Sequence, residues 1–433
     1  MFLCPDNAVV CSNYSVRVNG IAATVLPTGV ASFASFETDG TAEIEITTPH
    51  EIQSVILRPL SLGLSARCSG KTVSFTLDRP CNIWVDIQST PKIPPLYLFF
   101  YPPETNRPDP GDPNVIYFEA GRIHEPGLIT LRDHQTLYIE GGAIVRGAVY
   151  ACGAKGVTIR GRGVLDGSLH SPKLGQSCRS IFLDGCTDAR IEDITMIHPS
   201  TWMVVLGACK NVSITNLHQI GEVVSSDGID IVGSEDVTIT GCFLRNNDDC
   251  VVVKSLDLSL GQPPAQFDAR KDAQDVLVQN CTFWNDRAGN AMEIGFEFCT
   301  ENIRRIVFRN IDVLAAHGEG AVFSIHNGDR AMVSDVLWED IRVEHFYDKL
   351  IDFRIMPSRY SQDKTRGHIR DVTFRNIHTI KDIYNTPSLI GGYDNDHRID
   401  NVRFENFLMG GEKITNADAL HLFTKHADQI SFS

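Results

Sequence analysis

Nowhere in the 433 residues does an apolar run approach eighteen uninterrupted positions, which argues against a membrane-crossing helix. No run of Lys and Arg is longer than two, and 39 Lys+Arg face 54 Asp+Glu for a formal net charge of −15. Duplex nucleic acid and anionic membranes are therefore unsuitable partners, and a polyanionic substrate is disfavoured. None of the twelve cysteines forms a CxxC pair. Most sit alone in apolar strand-like runs, as Cys242, Cys281 and Cys299 do, so they read as small buried hydrophobes, and no metal site is expected of them. The opening Met1-Phe-Leu-Cys-Pro-Asp6 lacks the basic and long apolar regions of a secretory leader. The expectation is either a cytoplasmic protein or a mature secreted form with its leader removed. Helical periodicity is nearly absent as well.

What is present is a folded composition, 42% apolar and 21% charged, in a chain too long for one ordinary core. Two domains or a repeat architecture must follow. Residues 1–101 alternate polar and apolar side chains in short runs, such as Ala42-Glu-Ile-Glu-Ile-Thr47 and Lys71-Thr-Val-Ser-Phe-Thr-Leu77. Period two at this spacing predicts an antiparallel β-sandwich. Residues 102–113 carry five prolines in twelve positions, which excludes a central strand and marks a linker.

From residue 114 to 433 the chain repeats itself. The unit apolar-x-apolar-x-[Asn/Gly/Asp]-[apolar or Cys] starts at Val212, Val237, Val276, Ile306, Val336, Val372 and Val402. A second series, from Gly228, Cys250, Ala291, Val322 and Ile351, runs between these. A unit of 25 to 39 residues with at least two short strands cannot bury its apolar face alone, so units must stack. The expected fold is all-β, a parallel β-helix preceded by the small sandwich. Stacking places equivalent residues of successive coils about 4.8 Å apart. The longest unit contains an extra segment, Ser255 to Asp275, expected to leave the solenoid as a loop.

Two segments concentrate acid: Ser225-Ser-Asp-Gly-Ile-Asp230 and Asn246-Asn-Asp-Asp-Cys250. Asp248 and Asp249 follow Asp227 by 21 and 22 residues, about one coil, so the three carboxylates should meet. Three acids at strand spacing cannot all ionise cheaply, and at least one should keep a proton near neutrality. A protonated carboxyl beside a carboxylate is the equipment of glycoside hydrolysis. Turn closure by Asp and a calcium site are the other uses of such residues. Asp230 can join the cluster or bond to backbone.

Ser226-Asp-Gly-Ile-Asp-Ile231 followed by Asn247-Asp-Asp-Cys250 resembles the acid signatures of glycoside hydrolase family 28, the polygalacturonase family. Val157-Thr-Ile-Arg-Gly-Arg-Gly-Val-Leu-Asp-Gly167 resembles its opening coil, and the likeness covers roughly residues 114 to 410. The resemblance implies a right-handed parallel β-helix and hydrolysis with inversion, with Asp248 as general acid and Asp227 and Asp249 activating water. Two positions depart from the family. Its Gly-His-Gly falls on Gly289-Asn290-Ala291, and its carboxylate-gripping Arg-Ile-Lys falls on Ser324-Ile325-His326. Both departures favour an uncharged sugar. The sandwich joined to a β-helix, with Cys281-Thr-Phe-Trp284 ahead of Gly289 and Ile294-Gly-Phe296, is also similar to dextranase-type enzymes of family 49, which use three aspartates.

Around the acids, Lys254 is a candidate to hold a carboxylate or touch sugar hydroxyls. Glu293, Ser324 and Arg354 are spaced by 31 and 30 residues and should stack in one row, Arg354 supplying the cation missing at Ser324. Asn290 and His326 match positions of family function and are taken as substrate-binding. Trp284 and Tyr393 could stack on a sugar face or pack in the core. The expected activity is inverting hydrolysis of α-glycosidic bonds in a neutral oligo- or polysaccharide, without a cofactor. A pectin hydrolase, a polysaccharide lyase and a non-catalytic carbohydrate-binding solenoid are the alternatives. No residue pattern bears on oligomeric state.

Overall fold

The computed structural model describes residues 1–170, 175–380 and 386–433. Two five-stranded sheets fill the N-terminal part. One runs Ile21–Ala23, Ser15–Val18, Ala42–Thr47, Thr72–Leu77, Arg67–Ser69; the other runs Leu26–Pro27, Ser32–Glu37, Leu96–Tyr101, Asn82–Ser89, Ile52–Arg58. In Ala42–Thr47 burial alternates strictly, with Ala42, Ile44 and Ile46 inside and the residues between them exposed. One pairing differs from an all-antiparallel sandwich: Leu96–Tyr101 lies parallel to Ser32–Glu37. That strand, Leu-Tyr-Leu-Phe-Phe-Tyr, has no polar alternation because both faces are covered. Leu96, Leu98 and Phe100 enter the sandwich core, while Tyr97, Phe99 and Tyr101 face the rest of the chain.

Beyond the proline-rich stretch, 29 strands form one continuous sheet wound as a right-handed parallel β-helix. Each early coil has three strands. Ile181–Asp184, Thr187–Glu192 and Thr195–Ile197 pair in parallel with Val204–Gly207, Lys210–Thr215 and His218–Ile220 of the next coil. In later coils two of the three run together, as in Asn302–Ala316. The repeated apolar starts form one column: Val212, Val237, Val276, Ile306, Val336, Val372 and Val402 are successive register partners.

The polar position of the repeat has a backbone cause. Asn216, Asn280, Asn310, Asp340, Asn376 and Asn406 all have φ between 50° and 57°, and Gly241 has φ 71°. Asn, Asp and Gly are the residues that tolerate this left-handed conformation, which lets the chain turn from one strand into the next. The amides also stack, Asn310 Nδ2 donating to Asn280 Oδ1 at 2.7 Å and Asn406 Nδ2 to Asn376 Oδ1 at 3.0 Å. Inside the coil, rings lie face to face: Trp338 on Phe374 at 5.0 Å, Phe374 on Phe404 at 4.9 Å, Phe404 on Phe432 at 4.8 Å. All twelve cysteines are free; six are buried rather than most, and Cys299 is only half-buried. Cys242 and Cys281 do stack in adjacent coils within the core.

Residues 102–113 are not a loose tether. Glu104 accepts from Tyr138 Oη at 2.6 Å, and Arg107 pairs with Glu140 at 2.5 Å. An aromatic seam joins sandwich to solenoid: Phe99 stacks on His218 at 3.9 Å, Tyr97 meets Phe243 at 5.0 Å, and Trp84 meets Trp284 at 4.3 Å. Trp284 is thereby absorbed into packing, whereas Tyr393 is exposed and far along the solenoid.

Candidate active site

The acids meet because three consecutive coils deliver equivalent turn residues to one sheet edge. Ile229–Val232 pairs with Val251–Ser255, which pairs with Met292–Phe298. The residues two positions before the first register pairs are Asp227, Asp249 and Asn290, and the backbone ladder reaches them: Gly228 N donates to Asp249 O at 2.8 Å and Cys250 N to Asn290 O at 3.0 Å. Asp248 lies beside this column, its Oδ2 accepting from Ser225 N at 3.0 Å. Oxygens of Asp227, Asp248 and Asp249 all lie within 4.8 Å of one another. Gly289, with φ 65°, backs the pair; a Cβ there would lie 2.4 Å from both Asp248 Oδ1 and Asp249 N. Arg245 staples the surrounding loops, reaching Gly221 O, Asn247 Oδ1 and Asp286 Oδ2 at 2.5 to 2.6 Å.

The three carboxyls have different surroundings. Burial, then the neighbouring Asp227, pushes Asp248 up to about 6. Burial, followed by Glu293 and the other two acids, pushes Asp249 well above the carboxylate range. Two N–H groups of Asn290 oppose that shift by donating to Asp249 Oδ1 at 2.6 and 3.1 Å. Asp227 is the one with an ammonium against it: Lys254 Nζ is 3.1 Å from its Oδ2 and 3.0 Å from Asp230 Oδ1. Burial disfavours the charged lysine, but Asp230 and Asp227 outweigh it and hold Lys254 protonated. The same ammonium stands 4.2 Å from the centroid of the Trp202 ring. Asp227, Asp248 and Asp249 are also the one group with metal-ligand spacing among the described residues, though a cation there would compete with Lys254.

Glu293, as expected, stacks outward from the same sheet, opposite Val252 and Ser324. The third member of the row is not Arg354. Ser324 pairs with Asp352, and Arg354 lies two residues on, opposite His326. The coil from 324 to 352 is shorter than its neighbours, so counting thirty residues overshoots. Arg354 nevertheless belongs to the group, since its Nη2 donates to Asp352 Oδ2 at 2.7 Å and stands 3.0 Å from His326 Nε2. His326 Nδ1 donates to Glu293 Oε1 at 3.0 Å, Ser324 Oγ donates to Glu293 Oε2, and Phe296 stacks on the imidazole at 4.3 Å. Burial works against a charged imidazole, yet Glu293 and Asp352 raise His326 to about 9. Glu293 and Asp352 thus pair with His326 and Arg354, and Lys349 Nζ stands 3.7 Å from Asp352 Oδ2.

Trp202 and Asp352 carried no sequence signal of their role. Trp202 sits in a turn between strands, where no repeat fixes its neighbours, and Asp352 was hidden by the uneven coil length. The insertion is anchored on the solenoid. Leu256, Leu258 and Ala269 pack on Phe182, Val205 and Val232, and Arg179 donates to the carbonyls of Leu258, Leu260 and Pro263. Its 256–272 path therefore lies on the outer face beside Trp202, anchored at these points while most of its residues, Leu260 among them, are exposed.

The family model described as glycosyl hydrolases family 28 matches residues 141–379, more than half of the chain. A stretch of 176 residues is 30% identical to probable rhamnogalacturonase A of Aspergillus oryzae, covering 40% of this chain and 32% of that protein. The chain thus spans about a third of that relative's length. Among solved structures, Dex49A from Penicillium minioluteum superposes with a TM-score of 0.71 at 14% identity, covering 100% of this chain and 96% of that one. The family 28 exopolygalacturonase of Yersinia enterocolitica gives a TM-score of 0.56 at 13% identity, covering 98% and 96%. At these identities the structural likeness is one of fold.

Proposed function

The chain belongs to glycosyl hydrolase family 28, and from that premise we propose that it hydrolyses α-glycosidic bonds of a neutral oligo- or polysaccharide with inversion. The observation that carries the reading is the convergence of Asp227, Asp248 and Asp249 within 4.8 Å, in three unlike environments. Asp248, pushed up to about 6, is the general acid. Without it the leaving oxygen would depart as an alkoxide, and such catalysis contributes about 10²- to 10⁴-fold. Asp227, the carboxylate paired with Lys254, deprotonates the water, and Asp249 helps to orient it. Lys254 and Asn290 fix these two groups; beyond them Glu293 and His326 hold Arg354, the most exposed member of the row, toward the sugar.

A neutral substrate is favoured because the cations of this row already stand against acids. A uronate carboxylate needs a cation, preferably in a bidentate geometry, and here His326 and Arg354 are already matched by Glu293 and Asp352. A pectin-type substrate is the alternative. A second stereochemical reading has its own support: carboxyls of an inverting pair usually stand about 6.5 to 9.5 Å apart, and closer pairs suit a covalent route. Against it, Asp227 and Asp249 are pinned by Lys254 and Asn290, which hinders either from swinging onto an anomeric carbon.

Incubation with neutral and acidic α-glycans, followed at once by proton NMR of the new anomeric centre, tests both points. The expected result is a β-anomer released from a neutral glycan, with turnover abolished in Asp248→Asn. Retained configuration overturns inversion, preference for uronate polymers overturns the neutral substrate, and near-normal activity of Asp248→Asn removes the assigned acid.

A further inference from the structure

A second concavity lies where the sandwich meets the solenoid. It is a cleft of about 900 Å³, with the half-buried Trp84, backed by the buried Trp284, as its floor. Its rim is polar and comes from both parts of the chain: Gln88 and Lys92 from the sandwich, Asp286 and Arg287 from the solenoid. Counting the whole lining, Lys92, Arg245 and Arg287 face Asp86, Glu222 and Asp286, three charges of each sign. Lys92 and Arg287 have no hydrogen-bond or ion-pair partner among the described residues, so their donors are free for a ligand.

The cleft shares its walls with the acid site. Glu222 and Val223 line it and begin the loop whose Ser225 N holds Asp248 Oδ2. Asn247, the residue before Asp248, lines it and donates to Glu222 O at 2.7 Å. Arg287 stands two residues before Gly289, whose backbone backs Asp248. Both loops that set the position of Asp248 therefore border the cleft, and Asp248 is the group assigned to the leaving oxygen. Sugars beyond that oxygen belong to the leaving-group end.

We propose that this interdomain cleft binds the leaving-group end of the glycan, an uncharged oligosaccharide, with Arg287, Lys92 and Gln88 donating to its hydroxyls over the tryptophan floor. The inference rests on the hydrolase reading above and extends it by making the sandwich part of the substrate site. An apolar floor rimmed by a few polar groups suits a sugar, which has hydroxyls at its edge and C–H bonds on its faces.

The test is calorimetric titration of the full-length Asp248→Asn protein with isomalto- and malto-oligosaccharides of two to eight residues, and with oligogalacturonides of equal length. One neutral ladder should gain affinity with length, and Gln88→Ala with Arg287→Ala should together weaken binding of its octamer about tenfold, as expected for two lost hydrogen bonds. Both side chains are exposed, and thermal melts check that folding is preserved. Affinity independent of length, wild-type binding by the double variant, absence of binding by every neutral ladder, or tighter binding of the oligogalacturonides overturns the proposal. Failure of the hydrolase reading shows elsewhere, in turnover by Asp248→Asn itself.

Discussion

At Asp248 a largely buried carboxyl faces two other acids and accepts two backbone N–H groups, and burial with the Asp227 charge wins over those bonds. Its acid form is populated below about 6 and lost above it. If Asp248 protonates the leaving oxygen, kcat/KM must fall as pH rises through about 6, by about tenfold per unit well beyond it. A pH profile on the substrate found by NMR checks this; a basic limb displaced to pH 8 or higher would assign the proton to another group. The residues behind this prediction were readable from spacing alone, because one coil separates Asp227 from Asp248 and Asp249. Lys254 and Asn290 could be placed near them for the same reason. Arg354 was misplaced by two positions since arithmetic assumes equal coils, and Trp202 was missed since a turn residue has no register.

Between residue and coil stands the turn ladder, where one position answers both for backbone conformation and for a side-chain bond. Asn310 has φ 52°, donates to Asn280 and accepts from Arg342 Nη2 at 2.9 Å. Asn310→Ala should destabilise the protein by about 1–2 kcal/mol, most of it the left-handed cost that the short polar side chain of Asn offsets and a methyl group does not. Asn310→Gly removes the same bonds without that penalty and should recover at least half of the loss. Urea denaturation separates the two, and a glycine variant as unstable as the alanine one would transfer the effect to the ladder. The element scale was the most legible. Strict alternation marked the sandwich strands, and seven apolar starts proved to be one column of register partners. The parallel pairing of Leu96–Tyr101 was not legible, because a strand covered on both faces loses the alternation that reports its surroundings.

For the whole molecule, the question is whether residues 1–101, the stretch 102–113 and residues 114–433 behave as separate bodies. We propose that this division describes architecture and not cooperativity. Phe99 belongs to a sandwich strand, yet its ring is fully buried against His218 and Phe243 of the solenoid. Arg58 of the sandwich pairs with the largely buried Glu344 at 2.5 Å, and Arg162 of the solenoid reaches Glu37. Separating the parts would expose Ile197, Ile220, Phe243 and Leu314 together, a contiguous apolar patch that water penalises. Phe99→Ala should therefore cost about 3–5 kcal/mol, and at roughly 2.1 cal/mol/K per residue that lowers the melting temperature by about 3–5 °C. Scanning calorimetry should show one transition before and after the change. If the sandwich were an independent passenger, the variant would instead split the endotherm, with an early sandwich transition and a solenoid transition left where it was. A single displaced transition makes the seam between the two parts a source of stability for the coils that carry the acids, and places both walls of the interdomain cleft in one cooperative unit.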